Sequence, residues 1–116
     1  MVMLKAGDGT IITTLPIGQG TDGATFNPKT MEAFSSQSDG TLTIIKENSP
    51  ASFVVEQTVQ TMASAKTLTL DGKTNRILLI AAMFDPPPPG TPPLSNARIA
   101  RGPMVPGSFS ILTVAK

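Results

Sequence analysis

The chain of 116 residues contains no cysteine and no histidine. Without cysteine there can be no disulfide framework, no thiolate metal site and no cysteine nucleophile. Without histidine the chain lacks the commonest general base, the commonest metal ligand and the usual switch near neutral pH. We therefore predict no catalytic residues, no metal site and no cofactor.

Aromatic side chains and charges are also scarce. All five aromatic residues are phenylalanine, which disfavours a lectin site and stacking on single-stranded nucleic acid. Nine basic and eight acidic residues give a net charge of +1. No electrostatic attraction to nucleic acid or to an anionic membrane is therefore expected.

No long hydrophobic run is present. The longest, ILLIAAMF at 77–84, is far shorter than the about 20 residues that a membrane-spanning helix needs. The first ten residues contain no apolar core of a signal peptide. The location stays unknown, with the cytoplasm as the default prediction.

The pattern that is present is typical of β-structure. Threonine is abundant, and Gly, Asp, Asn and Pro interrupt the chain about every 8 to 12 residues, which favours an all-β protein of short antiparallel strands. The predicted strands are Val2–Lys5, Thr10–Ile17, Gly23–Phe26, Met31–Ser36, Thr41–Lys46, Phe53–Thr58, Lys66–Leu70, Ile77–Met83 and Phe109–Ala115.

The acidic residues do not suggest a reactive centre. Asp8, Asp39 and Asp71 lie beside glycine in turns, and we interpret them as turn formers, since a calcium loop needs several acidic positions in one stretch. Glu32, Glu47 and Glu56 are expected on turns and outer strands, which implies no common pocket for a carboxylate pair.

Residues 85–107 form a proline-rich stretch that holds eight of the eleven prolines. The interior of a strand does not tolerate so many prolines, so we expect a surface loop. This loop is either a functional insertion or loosely ordered. A stiff connector is the simplest interpretation. A protein partner at this loop, such as an SH3 or WW domain or an acidic surface facing Arg98 and Arg101, is the functional alternative.

The chain repeats itself at an offset of 44 residues. TFNPKTMEAFSS, residues 25–36, aligns with TLDGKTNRILLI, residues 69–80, and the strand from Thr10 matches the one from Phe53 at an offset of about 43. The echo between AGDGT and QSDGT has a different offset, 31 residues, so we interpret it as similarity between two Asp-Gly turns.

A repeat of roughly 40 to 45 residues with four short strands is typical of one β-propeller blade. With A as the innermost and D as the outermost strand of a blade, the predicted order is C, D, then A, B, C, D, then A, B, C. This predicts about two antiparallel four-stranded blades in a single unit, residues 1–116. Blade strands occupy 10–84 and 108–116, and 85–107 is a loop insertion.

The stretch from Leu15 to Phe84 resembles a known family. It reads LPIGQGTDGATFNPKTMEAFSSQSDGTLTIIKENSPASFVVEQTVQTMASAKTLTLDGKTNRILLIAAMF, which is similar in its turns and their spacing to the YVTN-repeat (YncE-like) bacterial β-propeller proteins. Family members are longer and are often exported. This chain resembles their C-terminal two-blade portion.

Two isolated blades would expose an apolar face at each end. We therefore expect a cyclic homo-oligomer in which the N-terminal D strand of one copy completes the last blade of the next. Residues 1–5 are then surplus, and either pair as a partial strand or fray. Three copies would give six blades and four would give eight, within the usual range of about 4 to 8, and the trimer is favoured over dimers and tetramers.

Two residues are candidates for a ligand site at the mouth of the central channel. Asp22 lies in GQGTDG, residues 18–23, where we expect a loop between blades and not a phosphate loop, because no helix follows. Lys66 begins the predicted inner strand Lys66–Leu70, at a position where the resembled family often has arginine, so it is expected to line the axis. The alternative for Lys66 is a salt bridge facing the channel, with a structural role only.

Function is predicted at the level of assembly and binding. The sequence favours a non-catalytic β-propeller module for self-assembly and for ligand or protein binding, with the ligand unknown. The alternatives are a propeller enzyme of the lactonase type, which some proteins similar to this family are, or a truncated gene product without selected function.

Overall fold

The computed structural model describes residues 1–92 and 101–115. In this part the chain forms nine β-strands and no helix, which confirms the all-β class and, with bounds shifted by three residues or fewer, the nine predicted strands. The strands are β1 Val2–Leu4, β2 Ile11–Thr14, β3 Thr21–Asn27, β4 Glu32–Gln37, β5 Thr41–Ser49, β6 Ser52–Gln60, β7 Lys66–Asp71, β8 Arg76–Ala81 and β9 Ser110–Val114.

The strands form three antiparallel sheets in which neighbours in sequence are neighbours in space. β1 and β2 make a hairpin, β3 to β6 make a four-stranded sheet in the order β3-β4-β5-β6, and β7 to β9 make a three-stranded sheet in the order β7-β8-β9. The division into two, four and three strands follows the order that the repeat predicts. It also shows that residues 2–4 pair with β2 and do not fray.

The sequence repeat is a structural repeat. β3 and β4 end at Asn27 and Gln37, and β7 and β8 end 44 residues later at Asp71 and Ala81. In the two turns the side chains of Asn27 and Asp71 each accept a hydrogen bond from the backbone N–H two residues on, both at 3.0 Å. Each turn then closes on a residue with positive φ, 53° at Met31 and 58° in the second turn.

β9 occupies the place in the third sheet that β5 occupies in the second. β4 pairs with β5 as Ala33↔Ile45 and Phe34↔Ile44, whereas β8 pairs with β9 as Ile77↔Val114 and Leu78↔Thr113. β8 is offset from β4 by 44 residues and β9 from β5 by 69, so the β8–β9 connection contains 25 residues more. The proline-rich stretch is therefore an insertion between two paired strands.

The base of this insertion is ordered by backbone pairing. Asp85 N–H donates to Pro103 O at 3.0 Å, Gly102 N–H donates to Asp85 O at 2.9 Å, and Phe84 forms a bridge with Met104. The guanidinium of Arg101 lies 5.1 Å from the centre of the Phe84 ring, a favourable cation–π distance. Arg98 and the rest of 93–100 lie outside the described residues.

The four-stranded sheet is the central layer and is covered on both faces. Alternate side chains of β4 and β5 point to opposite sides. Phe34 and Ile44 pack against Ile77 and Leu79 of the third sheet, in a core that also contains Leu42, Ala65 and Ala81. On the other side Ile45 is fully buried and shares a cavity with Ile12 of the β1–β2 hairpin.

Candidate functional site

The structure brings the two predicted channel-mouth residues to equivalent places. Asp22 and Lys66 are 44 residues apart and exposed, near the starts of β3 and β7, which lie side by side. Asp22 Oδ2 accepts a hydrogen bond of 2.8 Å from the backbone N–H of Thr67, the residue after Lys66. Asp22 therefore ties the second sheet to the third, and this contact is one that the sequence did not indicate.

The GQG segment, residues 18–20, packs closely against the β4–β5 turn, which accounts for its glycines. Gln19 N–H donates to Asp39 Oδ2 at 2.6 Å, and Ser38 N–H donates to Gly20 O at 2.9 Å. A Cβ on Gly18 would lie 2.7 Å from Asp39 Oδ2, so any other residue would force the Asp39 and Thr41 side chains out of their bonded positions. Residues 18–20 thus pack against the β4–β5 turn, and in this structure they have a structural role.

Asp39 is the centre of this packed turn. Besides the bond from Gln19, its carboxylate accepts hydrogen bonds from the hydroxyl of Thr41 at 2.6 Å and from the Thr41 N–H at 3.0 Å. These donors, the Thr41 hydroxyl first and the Gln19 N–H next, hold the pKa of Asp39 below its ordinary value of 3.8. The turn-forming role predicted for Asp8, Asp39 and Asp71 is confirmed by the same N–H bond in all three turns.

Polar side chains are buried inside the central sheet, which the sequence did not predict. Gln37 Nε2 donates to Ser35 Oγ at 2.8 Å, and the Thr43 hydroxyl donates to Gln37 Oε1 at 3.1 Å. All three residues are almost completely inaccessible to solvent. Because buried polar groups are costly unless they are bonded, this network specifies the register of β4 on β5.

Glu32 departs from the position predicted for it. It begins β4, an inner strand, and is 2% exposed, whereas the sequence placed it on a turn or outer strand. Its side chain lines a groove of about 570 Å³ between the second and third sheets, together with Gln57 and Arg76. The burial arises because the third sheet covers this face of β4, a contact distant in sequence.

Two apolar surfaces remain open, one at each end of the stack of sheets. On the β1–β2 hairpin, Leu4 and Ile11 form a cross-strand pair and are 54% and 62% exposed. On the third sheet, Ile111 is 66% exposed and Phe109 is 58% exposed. Ile111 lies in β9 and Phe109 directly precedes this strand. Grouped apolar side chains at that exposure are typical of an interaction surface.

The third sheet also has an open edge. β9 pairs with β8, and in the part of the chain that the structure describes no strand pairs with its other side. In the second sheet the equivalent strand, β5, pairs with β6 on that side over eight residue pairs. The outer backbone groups of β9 are therefore able to accept another strand.

No group of three or more metal-ligating side chains occurs among the residues that the structure describes. Nor does that part of the chain contain a helix long and apolar enough to span a membrane. Comparison with protein-family models, with curated proteins and with solved structures found no match to this chain.

Proposed function

We propose that this chain is a β-propeller module built from four-stranded blades, and that its function is to assemble with copies of itself and to bind a ligand or protein. Support comes from the repeat of 44 residues. The strands and turns of the second sheet recur in the third at this offset, and so does the positive φ, at Met31 and Asn75. A unit of this length with short antiparallel strands is typical of a propeller blade. The resemblance to the YVTN-repeat proteins points in the same direction.

The proposal of self-assembly is based on the two exposed apolar ends of the stack of sheets. The hairpin end, with Ile11 of β2, and the third-sheet end, with Ile111 of β9, lie on opposite sides of the central sheet and differ in sequence. Contact between them joins the front of one copy to the back of the next, a heterologous interface that closes into a ring when the rotation per copy allows it. Three copies would make a ring of six blades, and we favour this trimer.

The proposed role is non-catalytic. The chain has no histidine or cysteine, and the carboxylates of Asp8, Asp39 and Asp71 are engaged in their own turns. A ligand would reach the ring at the channel mouth, beside Asp22 and Lys66, and the insertion at 85–107 would offer a separate surface for a protein partner.

The molar mass in solution, measured by light scattering after size exclusion, tests the proposal. One copy is 12.1 kDa, and a trimer is expected at about 36 kDa, three times that mass. Ile111→Asp should reduce the mass to one copy, because it places a charge in the proposed interface. Val54→Asp is the matched control, since Val54 is also an exposed β-branched apolar residue in a strand, at 44%, but lies away from both open ends. A monomeric wild-type chain would show the proposal to be wrong.

A further inference from the structure

We propose that β9 of one copy pairs with β2 of a second copy, in the register that β5 has with β6, and that β1 must leave β2 for this to happen. This inference rests on the proposed self-assembly and specifies how it occurs. It follows from two equivalences within the chain, one for each strand.

The first equivalence is between β9 and β5. Every pair between β8 and β9, from Ile77↔Val114 to Ala81↔Ser110, reproduces a β4–β5 pair when 44 is subtracted from the β8 residue and 69 from the β9 residue. β9 is thus equivalent to β5, and among the described residues no strand takes the place of β6 beside it.

The second equivalence is between β2 and β6. The β5–β6 ladder shifts its register by one residue between Ile44↔Gln57 and Ile45↔Val55. The β1–β2 ladder makes the same shift between Met3↔Thr13 and Leu4↔Ile11. Thr13 and Ile11 therefore correspond to Gln57 and Val55 at the offset of 44, which makes β2 a β6 strand.

Combining the two offsets fixes the register between copies. Thr43↔Thr58 of the β5–β6 ladder becomes Leu112↔Thr14, and Ile44↔Gln57 becomes Thr113↔Thr13. Ile45↔Val55, beyond the shift, becomes Val114↔Ile11. This ladder would give the open edge of β9 a partner strand. It would also place Ile11 of one copy beside Val114 in β9 of the other.

The partner must be a second copy. Within one chain, β2 lies on the Ile45 face of the central sheet, whereas β9 lies on the Phe34 face. A complete four-stranded sheet separates the two strands, so they cannot pair without unfolding it.

β1 occupies the place on β2 that β9 of the neighbour would take. Val2 pairs with Thr14 and Leu4 pairs with Ile11, the same two β2 residues that Leu112 and Val114 would contact. β1 has only three residues, two of them exposed. A short strand of this kind covers the β2 edge in a single copy and is replaced when the longer β9 arrives, a strand exchange between copies.

Disulfide trapping tests the register, because the chain has no cysteine of its own. Leu112→Cys combined with Thr14→Cys should form disulfides between copies under mild oxidation, giving oligomers on a non-reducing gel that revert on reduction. Hydrogen-bonded and non-bonded pairs alternate and differ in Cα separation, so Thr113→Cys with Thr13→Cys serves as a second pair. Ile111→Cys with Thr14→Cys is the control, since a slip of one residue points the two side chains to opposite faces.

A competing disulfide tests the displacement of β1. Val2→Cys with Thr14→Cys uses the same β2 residue and should lock β1 onto β2 within one copy. The oxidised variant should fall to the 12.1 kDa of one copy, and reduction should restore the mass of the assembly. Assembly that persists in the locked variant would show that β1 stays in place.

The results separate this inference from the proposed function. Disulfides between copies at both in-register pairs, and none at the control pair, support the register. A wild-type oligomer whose in-register pairs do not cross-link would overturn the strand exchange while leaving self-assembly intact. A wild-type monomer would overturn both.

Discussion

The side-chain amide of Asn27 donates a hydrogen bond of 3.1 Å to Asn75 Oδ1 and so joins the β3–β4 turn to the β7–β8 turn. Asn27 is 1% exposed, and its own Oδ1 accepts the N–H of Lys29. One buried side chain therefore shapes its own turn and holds the equivalent turn of the next sheet.

Asn27→Ala should lower the free energy of unfolding by about 1 to 3 kcal/mol, because it removes a buried donor and acceptor and leaves their partners unpaired. Chemical denaturation would measure the change. Asn75→Gly is the comparison, since glycine keeps the positive φ of 58° and removes only the second amide. Equal losses in the two variants would mean that the Lys29 bond contributes nothing.

Gly18→Ala should destabilise the chain, because the added Cβ would lie 2.7 Å from Asp39 Oδ2 and closer still to the Thr41 hydroxyl. We expect a loss of about 1 to 3 kcal/mol from this overpacking. Gly72→Ala is a matched control, since a Cβ there meets nothing within 4 Å. Thermal melting of both variants would test the difference, and similar melting temperatures would argue against the packing described for the GQG segment.

Ser64 occupies the position equivalent to Gly20, and the two residues have φ of 68° and 72°. A side chain in this left-handed region costs roughly 1 to 2 kcal/mol, partly offset by the flexibility of glycine in the unfolded chain. Ser64→Gly should therefore raise the free energy of unfolding by up to about 1 kcal/mol. A clear loss of stability would indicate that the serine side chain contributes a contact that outweighs the strain.

The turn around Asp39 should weaken in acid. Its folded-state pKa is lowered below 3.8 by the Thr41 hydroxyl and the Gln19 N–H, so its stabilising contribution is complete above 3.8 and is lost as the pH falls through the lower, folded-state value. Asp39→Asn should reduce stability at neutral pH, and the deficit relative to wild type should shrink below about pH 4. Unfolding curves at several pH values would measure this, and a constant deficit would contradict it.

The sequence predicted the local structure well, because turns and period-two alternation are local signals. Asp-Gly and Asn-Pro turns placed the nine strands, and the repeat placed the sheet boundaries. The 44-residue offset even identified Asn27 and Asp71 as equivalent turn residues.

Contacts between sheets were not predictable in the same way. The burial of Glu32 and the bond from Thr67 N–H to Asp22 depend on which face of one sheet meets the next, and single-sequence patterns do not encode this. The positive φ of Met31 and Ser64 also escaped prediction, since neither residue type favours that region. The sequence proposed Asp22 and Lys66 separately, and the structure added that they are equivalent at the offset of 44 and that Asp22 accepts a hydrogen bond from the N–H of Thr67.

The ribbon at the base of the proline-rich insertion has a consequence for how this chain can change. Because residues 83–85 are held to 102–105 by backbone hydrogen bonds, the ends of the excursion are fixed to each other whatever lies between them. The entropy of closing a loop grows only with the logarithm of its length, about 0.6 kcal/mol for each doubling. The stretch between these paired ends is therefore a suitable place to insert a guest sequence, such as an epitope or a reporter domain, at a small cost in loop-closure entropy.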